Sequence, residues 1–127
     1  MDGGTYHALE FIGDAVPSLS MDSRLTLCNL SVETGAKTGM FYADIVTREY
    51  LLSHGHEIMV QDPPEPTCSK EYSFDLGAVE PVIAPPPRVD SARPVAVFAG
   101  IPLDQVFVGT CTNGRYEDLS RFARIIR

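Results

Sequence analysis

An apolar run at residues 106–108 is followed by a short polar turn and then by a segment with helical periodicity. The run, led in by two polar residues, predicts a buried strand that ends at Gly109. Beyond the turn, the apolar positions are Leu119, Phe122, Ala123 and Ile126. This spacing predicts an amphipathic helix over 116–127 whose apolar side packs on a sheet.

Extended and helical patterns alternate in the first half of the chain. Residues 5–12 partly alternate apolar with polar and predict a strand. Several possible N-caps at 18–23 precede an apolar segment that ends at Gly35, which predicts a largely buried helix. Residues 44–54 suit a short helix stopped by Gly55.

The second half of the chain has shorter patterns. Residues 61–67 predict a loop from their proline content. Residues 72–76 predict a strand exposed on one face, and residues 79–84 predict a further extended segment. Residues 93–99 form the connection that leads to the predicted strand at 106–108. The order of elements predicts the α/β class, with a mixed sheet and packed helices.

Composition excludes several classes of protein. With 127 residues the chain is one domain or part of one, and its 44% apolar content is typical of neither a disordered nor a membrane-spanning chain. The net charge of -7 disfavours binding to a nucleic-acid backbone. The N-terminus shows no signal-peptide pattern, so we expect a cytoplasmic protein.

The cysteines and histidines do not form a recognisable metal motif by themselves. Cys28, Cys68 and Cys111 are an odd number at wide spacing without a C-x-x-C pair, which indicates neither a disulfide framework nor a zinc site and fits a reducing compartment. His54 and His56 are two residues apart beside a glycine stop, which favours a solvated helix end over a metal site.

Cys111 lies on the turn between the predicted strand and helix. Ligands often bind at such turns, and the first amides of a helix favour negative charge, including that of a thiolate. A lone cysteine at a strand end is, however, more often a small buried apolar residue. Spacing alone leaves both interpretations open.

Asn29 and Glu33 are four residues apart on the predicted first helix and would share one face. A carboxylate and an amide are costly to bury without partners. They either form local hydrogen bonds at a solvated edge or line a site as an inward-facing pair. The residues alone do not decide between these alternatives.

Two segments carry a resemblance to a known family. Val108-Gly109-Thr110-Cys111-Thr112-Asn113-Gly114-Arg115, with Glu117-Asp118-Leu119 behind it, resembles the first cluster-cysteine motif of the aconitase superfamily, especially of 3-isopropylmalate dehydratase large subunits. Residues 21–37 resemble a second segment of the same family. The resemblance covers nearly the whole chain and is weakest over 54–73.

The resemblance implies a ligand set and a domain. Cys111 corresponds to one of three thiolates that hold a 4Fe-4S cluster, and Asn29 and Glu33 correspond to catalytic residues that approach the cluster, its bound water and the substrate. Residues 1–127 would form a partial aconitase-like cluster-binding domain within a three-layer domain. The other two cluster cysteines are expected downstream of Arg127, and a further family segment upstream of Met1.

The implied activity is that of a hydro-lyase. It would isomerise 2-isopropylmalate and 3-isopropylmalate by dehydration and rehydration in leucine biosynthesis, together with a small subunit that supplies a swivelling domain. We expect the chain to be inactive alone, as an internal fragment or a truncated form. The alternatives are a homoaconitase or other 2-alkylmalate dehydratase large subunit, and a degenerate module that binds a partner protein without catalysis.

Overall fold

The chain divides into two compact units. The computed structural model describes residues 3–60, 62, 65 and 67–127. Unit 1 comprises Met1–Thr67 and Val108–Arg127, and unit 2 comprises Cys68–Phe107. Most of the predicted proline loop at 61–67 lies outside the described residues.

Unit 1 begins with a strand, a helix and a second strand that pairs with the first. Strand β1 is Ala8–Glu10, helix α1 is Met21–Leu30 and strand β2 is Thr38–Met40. The two strands are parallel, with Leu9 opposite Gly39. Parallel strands require a crossover connection, and α1 lies within it.

Helices α2, Ile45–Ser53, and α3, Tyr116–Ile125, complete unit 1. The helix predicted at 44–54 is thereby confirmed, and its N-cap Asp44 accepts a hydrogen bond from the Thr47 amide at 3.1 Å. Gly55 follows with a φ of +81°, a conformation that glycine adopts without strain.

The first predicted helix is present but is not a continuous α-helix. Ser20 caps its N-terminus by accepting a hydrogen bond from the Ser23 amide at 3.2 Å. The α-helix ends at Leu30, and a 3-10 turn, Ser31–Thr34, continues the chain to Gly35, whose φ is +82°. The prediction of Gly35 as the terminal glycine is confirmed.

The buried residues of unit 1 include a charged side chain. Arg24, in the first turn of α1, is 1% exposed, and its guanidinium donates to both Asp44 carboxylate oxygens at 2.6 and 2.7 Å. It also donates to the carbonyl oxygens of Leu19 and Val16 at 3.1 and 2.9 Å, and it lies over the Phe41 ring. This ion pair therefore joins α1 to the start of α2.

Asp44 makes the stability of unit 1 sensitive to acid. Hydrogen bonds from the Arg24 guanidinium are the main reason that the pKa of Asp44 falls from 3.8 to about 2; burial opposes this shift and the Thr47 amide adds to it. A depressed carboxyl pKa stabilises the fold above the unfolded-state pKa, and this contribution is lost as pH falls through the folded-state pKa. At about 1.4 kcal/mol per pKa unit, the loss is on the order of 2 kcal/mol.

Urea unfolding at several pH values between about 4 and about 2 measures this contribution. Asp44→Asn is expected to be less stable than the wild type at neutral pH, and its unfolding free energy should change less over the acidic range because residue 44 no longer titrates. Equal losses in the two proteins would contradict the assignment.

Unit 2 contains an antiparallel pair of short strands. Strand β3, Val82–Ile83, pairs with β4, Arg93–Pro94, and a 3-10 turn, Val95–Phe98, follows. The extended run predicted at 79–84 is confirmed in part. The strand predicted at 72–76 is wrong, because Asp75 instead caps a 3-10 turn by accepting from the Gly77 amide at 2.8 Å.

Two predictions about the last part of the chain are wrong. Residues 106–108 form no strand, because no other strand in the described chain pairs with them, and Phe107 is 81% exposed. Helix α3 forms as predicted, but its apolar side is not packed on a sheet: Leu119 and Ile126 are 44% and 66% exposed.

The interior is small for a chain of this composition. Of the described apolar side chains, Ala36 alone is buried, and the prediction of a largely buried first helix is wrong because Leu30 and Val32 stay exposed. No helix in the described ranges has both the length and the apolarity needed to cross a bilayer. The mixed α/β class is confirmed, although the described strands form two separate pairs instead of one sheet.

Candidate functional site

The turn that carries Cys111 is shaped by its own backbone and by Thr110. The Thr110 amide donates to the Asn113 carbonyl oxygen at 2.6 Å, and the Thr110 hydroxyl accepts from the Thr112 and Asn113 amides at 3.2 and 3.3 Å. Gly109 has a φ of +117°, which favours glycine. Hydrogen bonds within residues 110–113 thus hold the shape of the turn, and Cys111 is exposed on it.

Helix α3 begins after the turn, and an acidic side chain of its first turn, Asp118, accepts hydrogen bonds at the helix entrance. The Asp118 carboxylate accepts from the Gly114 and Arg115 amides at 3.2 and 3.0 Å. Cys111 lies five residues before the first helical residue, Tyr116. Asp118 thus binds the amides of the two residues that precede the helix, and Cys111 accepts none of the hydrogen bonds described at this entrance.

Helix α1 meets the turn through two hydrogen bonds. The Thr112 hydroxyl donates to Asn29 Oδ1 at 2.9 Å, across 83 positions of sequence. The Thr26 hydroxyl donates to the Thr112 carbonyl oxygen at 3.3 Å. The structure therefore brings Asn29 into contact with the residue that follows Cys111.

Arg115 joins the same two elements. Its NH1 group donates to Thr26 Oγ1 at 3.3 Å and to the Thr112 carbonyl oxygen at 3.1 Å. Its Nε atom lies 3.9 Å from Asp22 Oδ1. Sequence reasoning missed the contacts of Arg115, Thr26 and Asp22, although Asp22, Thr26 and Asn29 recur at spacings of four and three residues, which place side chains on one helix face.

Glu33 is placed differently from Asn29. It lies in the 3-10 turn after the end of α1 and is exposed, so the two residues do not share one α-helix. No hydrogen bond from Glu33 to the Cys111 turn is found in the described part of the chain. Its assignment to the site stays a prediction.

The cysteines differ in their suitability as metal ligands. All three are free thiols, and Cys28 is partly buried, which raises the pKa of its thiol and disfavours the thiolate. Cys68 lies in unit 2. Cys111 is exposed on the turn next to α1, so its sulfur is accessible as a single soft ligand.

One thiol does not make a complete site. Within residues 3–60, 62, 65 and 67–127, no group of three or more His, Cys, Asp or Glu side chains is arranged to hold a metal ion. His54 instead places its Nδ1 atom 2.8 Å from the Tyr50 carbonyl oxygen at the end of α2. A metal centre that used Cys111 would therefore need its other ligands from outside these residues.

Comparison with known proteins identifies the family. Residues 1–100 match the sequence model of the aconitase family (aconitate hydratase). The chain belongs to the aconitase family. The matched region includes α1 and Asn29 and ends before the Cys111 turn.

The relatives of this aconitase-family chain also cover that turn. It is 43% identical to the "Probable methanogen homoaconitase large subunit" of Methanosarcina mazei over 98% of the chain and 32% of the relative. It is 38% identical to the 3-isopropylmalate dehydratase large subunit of Nitratidesulfovibrio vulgaris over 100% of the chain and 31% of the relative. It is 42% identical to the 3-isopropylmalate dehydratase large subunit 1 of Methanopyrus kandleri over 98% of the chain and 30% of the relative. The chain thus spans about a third of the length of these curated relatives.

Proposed function

We propose that this chain is the part of a 3-isopropylmalate dehydratase large subunit that contributes one cysteine ligand to a 4Fe-4S cluster. The observation that carries the proposal is the direct hydrogen bond between Thr112, next to the exposed Cys111, and Asn29 on α1. Membership of the aconitase family and relatives named as dehydratase large subunits support it.

The proposed reaction moves a hydroxyl group between the neighbouring carbons of 2-isopropylmalate and 3-isopropylmalate by dehydration and rehydration. A bound 4Fe-4S cluster supplies an iron without a cysteine ligand, which acts as a Lewis acid toward oxygen atoms of the hydroxy acid. The role of Cys111 is to hold one of the other irons. Because its sulfur is exposed, ligation requires no opening of a packed interior.

Asn29 and Glu33 have separate proposed roles. The Asn29 carbonyl oxygen accepts from Thr112, so this bond orients the side chain and leaves the amide N–H groups to donate to a substrate oxygen. Glu33 is exposed, and its proposed role is to hydrogen-bond the water or hydroxide that takes part in the dehydration, whereas the base belongs to the swivelling domain.

The proposal includes partners that the chain does not contain. Relatives named large subunits support a small-subunit partner, which would supply the swivelling domain. We also propose that residues 1–127 are a partial cluster-binding domain of a three-layer assembly, which receives the other two cysteines from a C-x-x-C segment. Three free thiols agree with a cytoplasmic location.

A second candidate function is that of a homoaconitase large subunit. The 43% identity to the Methanosarcina mazei relative favours it. Both functions use the same hydro-lyase chemistry and differ in the side chain of the hydroxy acid, which is apolar in isopropylmalate and carries a carboxylate in homocitrate.

The test combines this chain with the remaining segments of the Methanosarcina mazei large subunit and with the small subunit of that enzyme. The assembly is then reconstituted with iron and sulfide in the absence of oxygen. We expect cluster absorbance in this assembly, and turnover of 3-isopropylmalate in a second assembly built in the same way from the Nitratidesulfovibrio vulgaris segments. Turnover of homocitrate in the first assembly, with no turnover of 3-isopropylmalate in the second, would support the second candidate. Absence of iron uptake, when the complete Methanosarcina mazei enzyme loads in parallel, would overturn both and indicate a non-catalytic partner-binding module.

A further inference from the structure

The Cys111 turn rests on one face of α1. Asp22, Thr26 and Asn29 follow each other at spacings of four and three residues, and each lies near a residue of the 112–115 segment. The hydrogen bonds between the two segments join residues that are 83 to 89 positions apart in the sequence. The position of the turn on α1 therefore depends on side-chain chemistry, in addition to the local turn geometry.

Arg115 is the residue that contacts helix and turn together. Its guanidinium donates to Thr26 Oγ1 on α1 and to the Thr112 carbonyl oxygen on the turn, and it faces the Asp22 carboxylate. A planar guanidinium holds several donors in a fixed arrangement, whereas a lysine ammonium is a compact charge on a flexible stem. Arginine can therefore contact both elements with less loss of freedom per hydrogen bond.

We infer that Arg115 is a positioning residue, which fixes the Cys111 turn against α1 so that Thr112, the neighbour of the thiol, stays hydrogen-bonded to Asn29. The inference deepens the proposed function and rests on it for the role of the thiol. The Thr112 carbonyl that Arg115 binds is one peptide unit from Cys111, so losing this bond frees the turn next to the thiol. Partners in the shell outside a metal ligand commonly affect metal affinity 10- to 100-fold.

The first test measures the order of the turn in residues 1–127 without iron. In Arg115→Met, the heteronuclear NOE values of the backbone amides at 110–113 are expected to fall, while those of α2 stay unchanged. Arg121→Met is the matched control, because Arg121 pairs with Glu117 on the exposed side of α3. Equal NOE values at 110–113 in the two variants would overturn the inference.

Two further variants keep this test decisive if Arg115→Met disturbs the fold. Arg115→Lys retains the charge and is expected to restore part of the order, whereas Thr26→Val removes the hydroxyl that Arg115 and Thr112 share and should loosen the turn. A turn that stays as ordered as in the wild type in both Thr26→Val and Arg115→Lys would also overturn the inference.

The second test measures iron retention in the complemented assembly described above. A chelator competition is expected to show on the order of 10-fold weaker iron retention for Arg115→Met than for Arg121→Met. A loosened turn with unchanged iron retention would overturn the inference about the thiol. Failure of the wild-type assembly to take up iron would overturn the proposed function, whereas the NOE comparison would still report on the order of the turn.

Discussion

Replacing Arg24 with alanine is expected to lower the free energy of unfolding by about 3 kcal/mol, the lower end of the range for breaking a buried ion pair, because the Asp44 side chain left behind is 29% exposed. Arg24 is 1% exposed, and its guanidinium donates to Asp44, to the Thr47 hydroxyl and to two backbone carbonyl groups, so its removal leaves four acceptor groups without these donors. It also removes the link between α1 and the N-cap of α2. Far-UV circular dichroism and urea unfolding measure the loss.

Arg121→Ala is the control for this prediction. Arg121 is exposed and pairs with Glu117 one helical turn away, an arrangement worth only about 0.3–0.5 kcal/mol. If Arg24→Ala and Arg121→Ala unfold at similar urea concentrations, Arg24 does not carry the stability assigned to it. A double-mutant cycle that combines Arg24→Ala with Asp44→Asn then separates the ion pair from the two carbonyl contacts. The coupling energy between the two substitutions reports the ion pair, because the carbonyl contacts do not involve Asp44.

The importance of Arg24 was not predictable from the hydrophobic pattern. A pattern of apolar and polar positions assigns an arginine to the surface, and its partner Asp44 is 20 residues away. Helix ends were easier to predict because their chemistry is local: Gly35 and Gly55 adopt positive φ angles, and Asp44 binds an amide three residues on. The end of the α-helix at Leu30, before the 3-10 turn, has no comparable local signal.

The same distinction explains the strand predictions. Whether residues 106–108 form a strand depends on a neighbouring strand with free backbone groups, and none pairs with them in the described chain. Asp75 shows the opposite case, in which a local side-chain hydrogen bond outweighs an alternating pattern.

The candidate site was predictable where a motif exists and not where contacts are long-range. Cys111 and Asn29 were singled out by resemblance, and the structure brings their segments together through Thr112. The motif includes Arg115, but it does not predict the contact with Thr26, which is 89 positions away in the sequence. Glu33 was assigned with Asn29 on the assumption of one continuous helix, which the 3-10 turn interrupts.

Cys111→Ala is expected to abolish stable cluster assembly in the complemented enzyme. Three thiolates leave one iron open for the substrate, so the loss of one thiolate leaves a second iron without its protein ligand. We expect substoichiometric iron after removal of excess reagent, and turnover lower than that of the wild type by at least about 100-fold. Iron and sulfide content, cluster absorbance and turnover provide the measurements.

Cys68→Ala is the matched control, since Cys68 is an equally free and exposed thiol that lies in unit 2. It should assemble the cluster as the wild type does. The comparison separates ligation from the general reactivity of surface thiols, which both residues share. Wild-type iron content in Cys111→Ala would remove the only ligand assigned to this chain, and the contact between Thr112 and Asn29 would then be a structural link between α1 and the turn.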